Sequence, residues 1–196
     1  MNLSPGGTAV DRARELVALF HGNPAEFGRI EATAAEGLPE TVRQLLDHQS
    51  HMTVAMERFH GGPVDLEVLD RQDDGAGDYA REILLARPAA TGPRPVQHGI
   101  VRIDLTRLDP AVARTIRDAA TPLGRILIEA GLLAEVHDVS LLRIAAGPHL
   151  GRVFGLDPSA RPPETFGRVA EIGVAGSPVI KLLEILAPGS WRNGAA

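Results

Sequence analysis

The sequence predicts an α+β protein: a mainly antiparallel sheet of about six strands with helices packed on one side, preceded by a helical N-terminal arm. Three observations point that way. Short apolar-alternating runs after residue 52 are separated by turns rich in Gly, Pro and Asp. Two capped helical segments follow the fourth run. Short hairpin connections favour antiparallel pairing over crossover units. With 196 residues, 44% hydrophobic and 23% charged, the chain is long enough for one good core. The expected organisation is an arm over residues 1–48 that packs on a single globular unit over 49–196.

The elements follow in order. Thr8, with Asp11 three residues later, nearly matches a capping box, and Val10, Ala13, Val17 and Phe20 recur at helical spacing. Gly22, Asn23 and Pro24 break that helix. A second helix starts near Pro39 and carries Val42, Leu45 and Leu46 on one stripe. Neither helix could bury its face alone. Thr53 to Phe59 reads as a strand, turning at Gly61-Gly62-Pro63 into a return over Val64 to Leu69. After the turn at residues 73–78, Tyr79 to Ala86 is a third strand. A Pro- and Gly-rich loop over 88–95 leads to a fourth, Val96 to Leu105.

Asp109 caps a helix with Pro110 at its first position, running to about Ala119. Thr121-Pro122 starts another, which ends at Gly131. Val136 to Ala145 is a further strand. Residues 147–166 read as loop, with Pro148, Pro158, Pro162 and Pro163. Phe166 to Val174 and Val179 to Leu186 form a last hairpin across Gly176-Ser177-Pro178.

Composition excludes several function classes. The absence of cysteine removes disulfides, thiolate nucleophiles, iron–sulfur clusters and cysteine-ligated zinc. A net charge of -5 argues against a nucleic-acid partner. No apolar run is long enough to cross a membrane, and no signal-like segment opens the chain, so a cytoplasmic protein is expected. Of the 20 basic residues only Lys181 is a lysine. Genome composition accounts for that bias as a set, but one or two arginines could clamp a carboxylate or phosphate. No phosphate loop or dinucleotide fingerprint is present, and Ser140 and Ser177 lie outside any nucleophile elbow.

Few residues remain that could carry chemistry. His48, His51 and His60 could together ligate zinc, but they fit surface or turn positions as well. His98 could face a pocket or sit half-exposed on its strand. Arg81, in YAREILLA, and Glu184, in VIKLLEILAP, are flanked by apolar residues. Charged groups are rarely buried without a partner or ligand. The two are either on a solvent-facing side of their strands or an inward pair that holds a polar ligand from opposite ends.

Four motifs carry a resemblance: HMT (51–53), YAREILL (79–85), TPLGRIL (121–127) and LLEILAP (182–188). Their order and spacing, from about residue 44 to 191, resemble those of the chorismate pyruvate-lyases. That resemblance implies one antiparallel sheet with helices on one side and an internal ligand site. It implies elimination of pyruvate from chorismate to give 4-hydroxybenzoate or a close analogue, with no cofactor or metal. By motif, Arg81 would hold the ring carboxylate, the backbones at Met52 and Leu123 would add hydrogen bonds, and Glu184 would reach the hydroxyl end, where desolvation in its apolar strand would suit it to proton shuttling or hydroxyl orientation. Arg81 and Glu184 are thus the expected catalytic residues. The sequence departs from the family at Ile100, where the lyases carry an arginine. Arg102, two residues on, could substitute, and His98 could help.

A second reading is a non-catalytic domain of the same fold that binds an aromatic or cyclic carboxylate, as in the effector domains of bacterial regulators. The segment before Met52 is short for the winged helix that normally precedes such domains. A third is a degenerate homologue kept for protein contacts, against which the retention of both Arg81 and Glu184 weighs. In either of the first two the partner is a small molecule, not a nucleic acid or a membrane, and the oligomeric state is left open.

Overall fold

The computed structural model describes residues 7–160 and 163–192. The start of the expected arm, Pro162 of the expected loop and the last four residues of the expected globular unit lie outside the described residues. The helices are α1 (Ala9–Val17), α2 (Pro24–Phe27), α3 (Glu40–Leu46), α4 (Met52–His60), α5 (Pro110–Asp118), α6 (Leu123–Glu129) and α7 (Pro148–Val153). The strands are β1 (Gly28–Ala32), β2 (Asp65–Asp73), β3 (Asp78–Arg87), β4 (Arg94–Asp104), β5 (Ala134–Ala146), β6 (Glu164–Val174) and β7 (Ser177–Leu186). They form one antiparallel sheet in the order β1-β5-β6-β7-β4-β3-β2. The α+β, antiparallel architecture expected from the sequence is therefore present.

Both faces of the sheet are covered. On one, Ile116, Ile126 and Leu127 of α5 and α6 pack on Ile103, Ile172, Ile180 and Leu182. Beside them, Val42, Leu46, Met52 and Met56 of α3 and α4 pack on Leu85, Phe166 and Leu186. On the other face, Ala13, Leu16 and Val17 of α1 and Leu150 of α7 lie over Leu84, Ile100, Leu142, Leu183 and Ile185. The arm thus puts helices on the second face as well. This explains the near-continuous apolar run of β7. A central strand covered on both sides buries successive residues, so VIKLLEIL does not alternate strictly.

Local signals account for most elements. The Thr8 hydroxyl accepts from the Asp11 amide while the Asp11 carboxylate accepts from the Thr8 amide, a complete capping box. Asp109 caps α5 ahead of Pro110. Val42, Leu45 and Leu46 are buried as the α3 stripe requires.

Three expectations are corrected. Residues 53–59 form most of helix α4, not a strand. Met52, Met56 and Phe59 recur at i, i+4 and i+7, and Gly61 ends the helix in the left-handed region at φ 70°. The arm is not wholly helical, because β1 pairs with β5 and supplies a seventh strand. Only Ile30 of that edge strand is buried, which leaves too little periodicity to read. The 147–166 loop contains α7, six residues long with Pro148 at its first position.

Candidate functional site

Strand alternation decides which side chains meet between the sheet and α4 and α6. Arg81 and Ile83 of β3, Gln97, Gly99 and Val101 of β4, Leu182 and Glu184 of β7, and Arg168 and Ile172 of β6 all point to that face. Met52 and Thr53 of α4 and Leu123 and Gly124 of α6 close the opposite wall. The enclosed cavity is about 40 Å³, room for a carboxylate group or a few waters. An ion pair between Glu57 and Arg125 ties α4 to α6 outside it. Gly99 sits in one cross-sheet row with Ile83 and Glu184, and a Cβ there would stand 3.3 Å from Ile83 Cγ1.

Arg81 is 1% exposed. Its Nη2 donates only a long 3.5 Å bond to the Thr121 carbonyl, and its Nε and Nη1 have no hydrogen-bond partner among the described residues. Burial pulls the guanidinium below its usual pKa, with Tyr79 opposing. Gln97 Oε1, also buried on this face, is equally without a partner among the described residues.

Glu184 is not alone. It stands opposite Arg168 in the β6–β7 register, with Arg168 Nε donating to Glu184 Oε2 at 2.7 Å. The same guanidinium donates to the carbonyls of His48 (2.8 Å), Ser50 (3.2 Å) and Leu46 (3.4 Å), and its Nη1 lies 3.2 Å from His48 Nδ1. Arg168 therefore uses nearly all its donors inside the protein, whereas Arg81 uses almost none.

Of the six residues expected at the site, Met52, Arg81, Leu123 and Glu184 line this one cavity. His98 and Arg102 do not. They share the Ile100 side of β4, which faces away from Arg81. Arg102 is bonded to Asp78, Nε to Oδ1 at 2.8 Å, at the half-exposed margin of the sheet. His98 is fully buried under α2 and α7, its Nε2 2.6 Å from Glu82 Oε1. Neither supplies the arginine expected in place of Ile100.

The histidines weighed as zinc ligands do not converge. His48 contacts Arg168, His51 lines the cavity, and His60 stacks edge-on against Phe59. Burial lowers the pKa of all three.

Sequence reasoning missed two buried groups. Arg168 stands in FGRVAEIGV, flanked as unfavourably as Arg81, and the same criterion would have found it. Glu82 adjoins Arg81 but points to the other face, where His21, His98 and His149 surround it. Burial pushes the Glu82 carboxyl up, but the bonds from those three imidazoles outweigh it and hold the group well below the usual carboxylate range. A larger groove of about 1030 Å³ runs along α2 and α7. Its charged groups, Arg14, Arg29, Arg152 and Asp157, are exposed, so no desolvated charge marks it as the chemical site.

No protein-family model and no curated protein matches the chain. Among solved structures it is similar to the ligand-binding domain of a GntR-family transcriptional regulator from Bordetella bronchiseptica, at TM-score 0.46 and 14% identity over 63% of this chain and 85% of that one. It is also similar to the C-terminal domain of the histidine utilization repressor from Pseudomonas syringae pv. tomato, at TM-score 0.45 and 15% identity over 68% and 96% of the two chains. A transcriptional regulator from Streptomyces coelicolor gives TM-score 0.45 and 16% identity over 65% and 88%.

The expected lyase activity is corrected: the similar structures named above are described as regulators or a repressor. Within the site, the carboxylate expected to shuttle a proton or orient the hydroxyl is held by Arg168, and neither His98 nor Arg102 lines the cavity. No helix among the described residues is long and apolar enough to cross a membrane.

Proposed function

We propose that the chain is a non-catalytic binding domain for a small molecule bearing a carboxylate, aromatic or cyclic in its remainder. The single observation that carries this reading is Arg81: a buried guanidinium lining a cavity, with Nε and Nη1 unpartnered among the described residues. An unpaired buried charge is strongly disfavoured, and a bidentate carboxylate is the partner whose geometry fits it. Gln97 adds a buried acceptor for a ligand donor. At about 40 Å³ the cavity admits the carboxylate first, so a ring requires α4 and α6 to move outward from the sheet.

Calorimetric titration with benzoate, 4-hydroxybenzoate, cyclohexanecarboxylate and chorismate tests the reading, with pyruvate release followed in the chorismate arm. Saturable binding without pyruvate, lost in Arg81→Met, is the expected result. Absence of binding by every carboxylate, or binding unchanged in Arg81→Met, would overturn it.

A further inference from the structure

A second constellation lies on the opposite face of the sheet, independent of the Arg81 cavity. Glu82 of β3 is 2% exposed, and three imidazoles point at one of its oxygens. The Nε2 atoms of His21, His149 and His98 lie 3.0, 2.8 and 2.6 Å from Glu82 Oε1. The residues come from four separate places: the segment after α1, strand β3, strand β4 and helix α7. Among the described residues no lysine or arginine pairs with this carboxylate. The donor atoms of His21, Glu82 and His149 all lie within 4.8 Å of one another.

We propose that His21, His149 and Glu82 form a site for a divalent first-row transition ion, zinc the best chemical match, with His98 positioning the carboxylate. The residue types fit that ion. Two neutral imidazoles and one carboxylate are the donor set that holds zinc while leaving a coordination position open. The convergence fits too, because ligand atoms about 2 Å from a tetrahedral ion stand roughly 3.3 Å apart. The His21 and His149 distances to Oε1 need only a few tenths of an ångström of expansion, and the two imidazole donors lie within 4.8 Å of each other. His98 supplies the hydrogen bond that a ligating carboxylate ordinarily carries from outside the coordination sphere.

The packing supports a built site. Phe27 walls the cluster, with its ring 5.4–5.9 Å from those of His21, His98 and His149. His21 and His149 have tilted rings 4.1 Å apart and keep 14% and 15% of their side-chain surface exposed. The ion therefore has a route from solvent past two ligands, while Glu82 and His98 stay sealed beneath. Binding would staple α7 and the segment after α1 to strand β3.

The test uses untagged full-length protein stripped with chelator and titrated with zinc chloride by calorimetry. One zinc per chain is expected, weakened on the order of 100-fold or more in His21→Ala and in His149→Ala. His137→Ala, which removes one member of the exposed His137–Asp138–Glu171 cluster, should bind as the parent does. Parent-like affinity in both His21→Ala and His149→Ala, or loss in His137→Ala alone, would overturn the proposal. If the first two variants fail to fold, long-range proton–nitrogen spectra of the unmodified protein decide. Equimolar zinc must shift the imidazole nitrogens of His21 and His149, and unmoved resonances would reject the site.

Discussion

Arg168 and Glu184 face each other across β6 and β7, Nε to Oε2 at 2.7 Å, the arginine fully buried and the glutamate 9% exposed. The pair satisfies both charges, and the remaining arginine donors hold the carbonyls of residues 46, 48 and 50. It therefore does two jobs. It makes a carboxylate tolerable next to the cavity, and it fixes the segment that leads into α4. Arg81, one cross-strand row away, has no such partner among the described residues, and the proposed binding role rests on that contrast.

Breaking the buried pair on one side should be severe. Arg168→Met leaves Glu184 uncompensated and should destabilise the fold by about 3–5 kcal/mol in urea denaturation. The double variant Arg168→Met/Glu184→Gln should recover part of that loss. Amide exchange at residues 46–50 should stay faster in both, because the carbonyl bonds are not restored. Full additivity of the single substitutions would contradict the pairing.

Arg81→Met should act in the opposite sense on stability. The ligand-free protein should gain about 1–3 kcal/mol, since the buried and largely unpartnered guanidinium is replaced by an apolar chain of similar length. Carboxylate binding should weaken by about 2–5 kcal/mol. Stability that falls in the absence of ligand would indicate that Arg81 serves the fold instead.

Acid should weaken the fold before carboxylates titrate. Burial lowers the folded-state pKa of His48 and His51, and of His60 with Arg87 adding to it, below the ordinary value of 6.5. The unfolded chain then takes up more protons than the folded one as pH falls below about 6.5, so stability is lost in that direction. Each group is half-buried, so each contributes only a fraction of the ~1.4 kcal/mol per pH unit that one full proton gives. Urea midpoints measured from pH 7.5 to 5.5 should fall, and His48→Gln/His51→Gln should flatten the decline.

Gly124→Ala should disturb the wall of the cavity. A Cβ at that position meets His51 Cβ at 2.9 Å, and neither atom is the far end of a flexible chain. The substitution should push α6 away from the start of α4 and lower the melting temperature by several degrees, on the order of 1–3 kcal/mol. An unchanged melting temperature would mean that the two helices are less tightly apposed.

Much of the fold was legible in the sequence. Turn residues and alternation placed β2, β3, β4, β5, β6 and β7, and caps placed α1, α5 and α6. Three features resisted for physical reasons. Residues 53–59 carry Thr and Val, which suit a strand, but Met52, Met56 and Phe59 obey the helical period, with Met52 and Met56 buried and Phe59 partly so. Strand β1 depends on pairing with β5 rather than on its own pattern. Helix α7 is too short for periodicity to show.

The site was half legible. Met52, Arg81, Leu123 and Glu184 do meet at one cavity. His98 and Arg102 were assigned by position along β4 without fixing which way the strand alternates. Arg168 and Glu82 went unnoticed because a strand buried on both faces hides charged groups among apolar neighbours.

Arg81 and Glu82 are consecutive, yet one lines the cavity under α4 and α6 and the other sits in the histidine cluster behind the sheet. The register irregularities of β3, opposite Val68/Asp70 at Ile83/Glu82 and at Leu85/Ala86, both lie on the C-terminal side of this pair. A one-residue insertion or deletion between Tyr79 and Ile83 would invert the strand's alternation. Arginine would then sit among the imidazoles and glutamate beside Arg168 and Glu184, so a single in-frame slip would dismantle both side-chain clusters together.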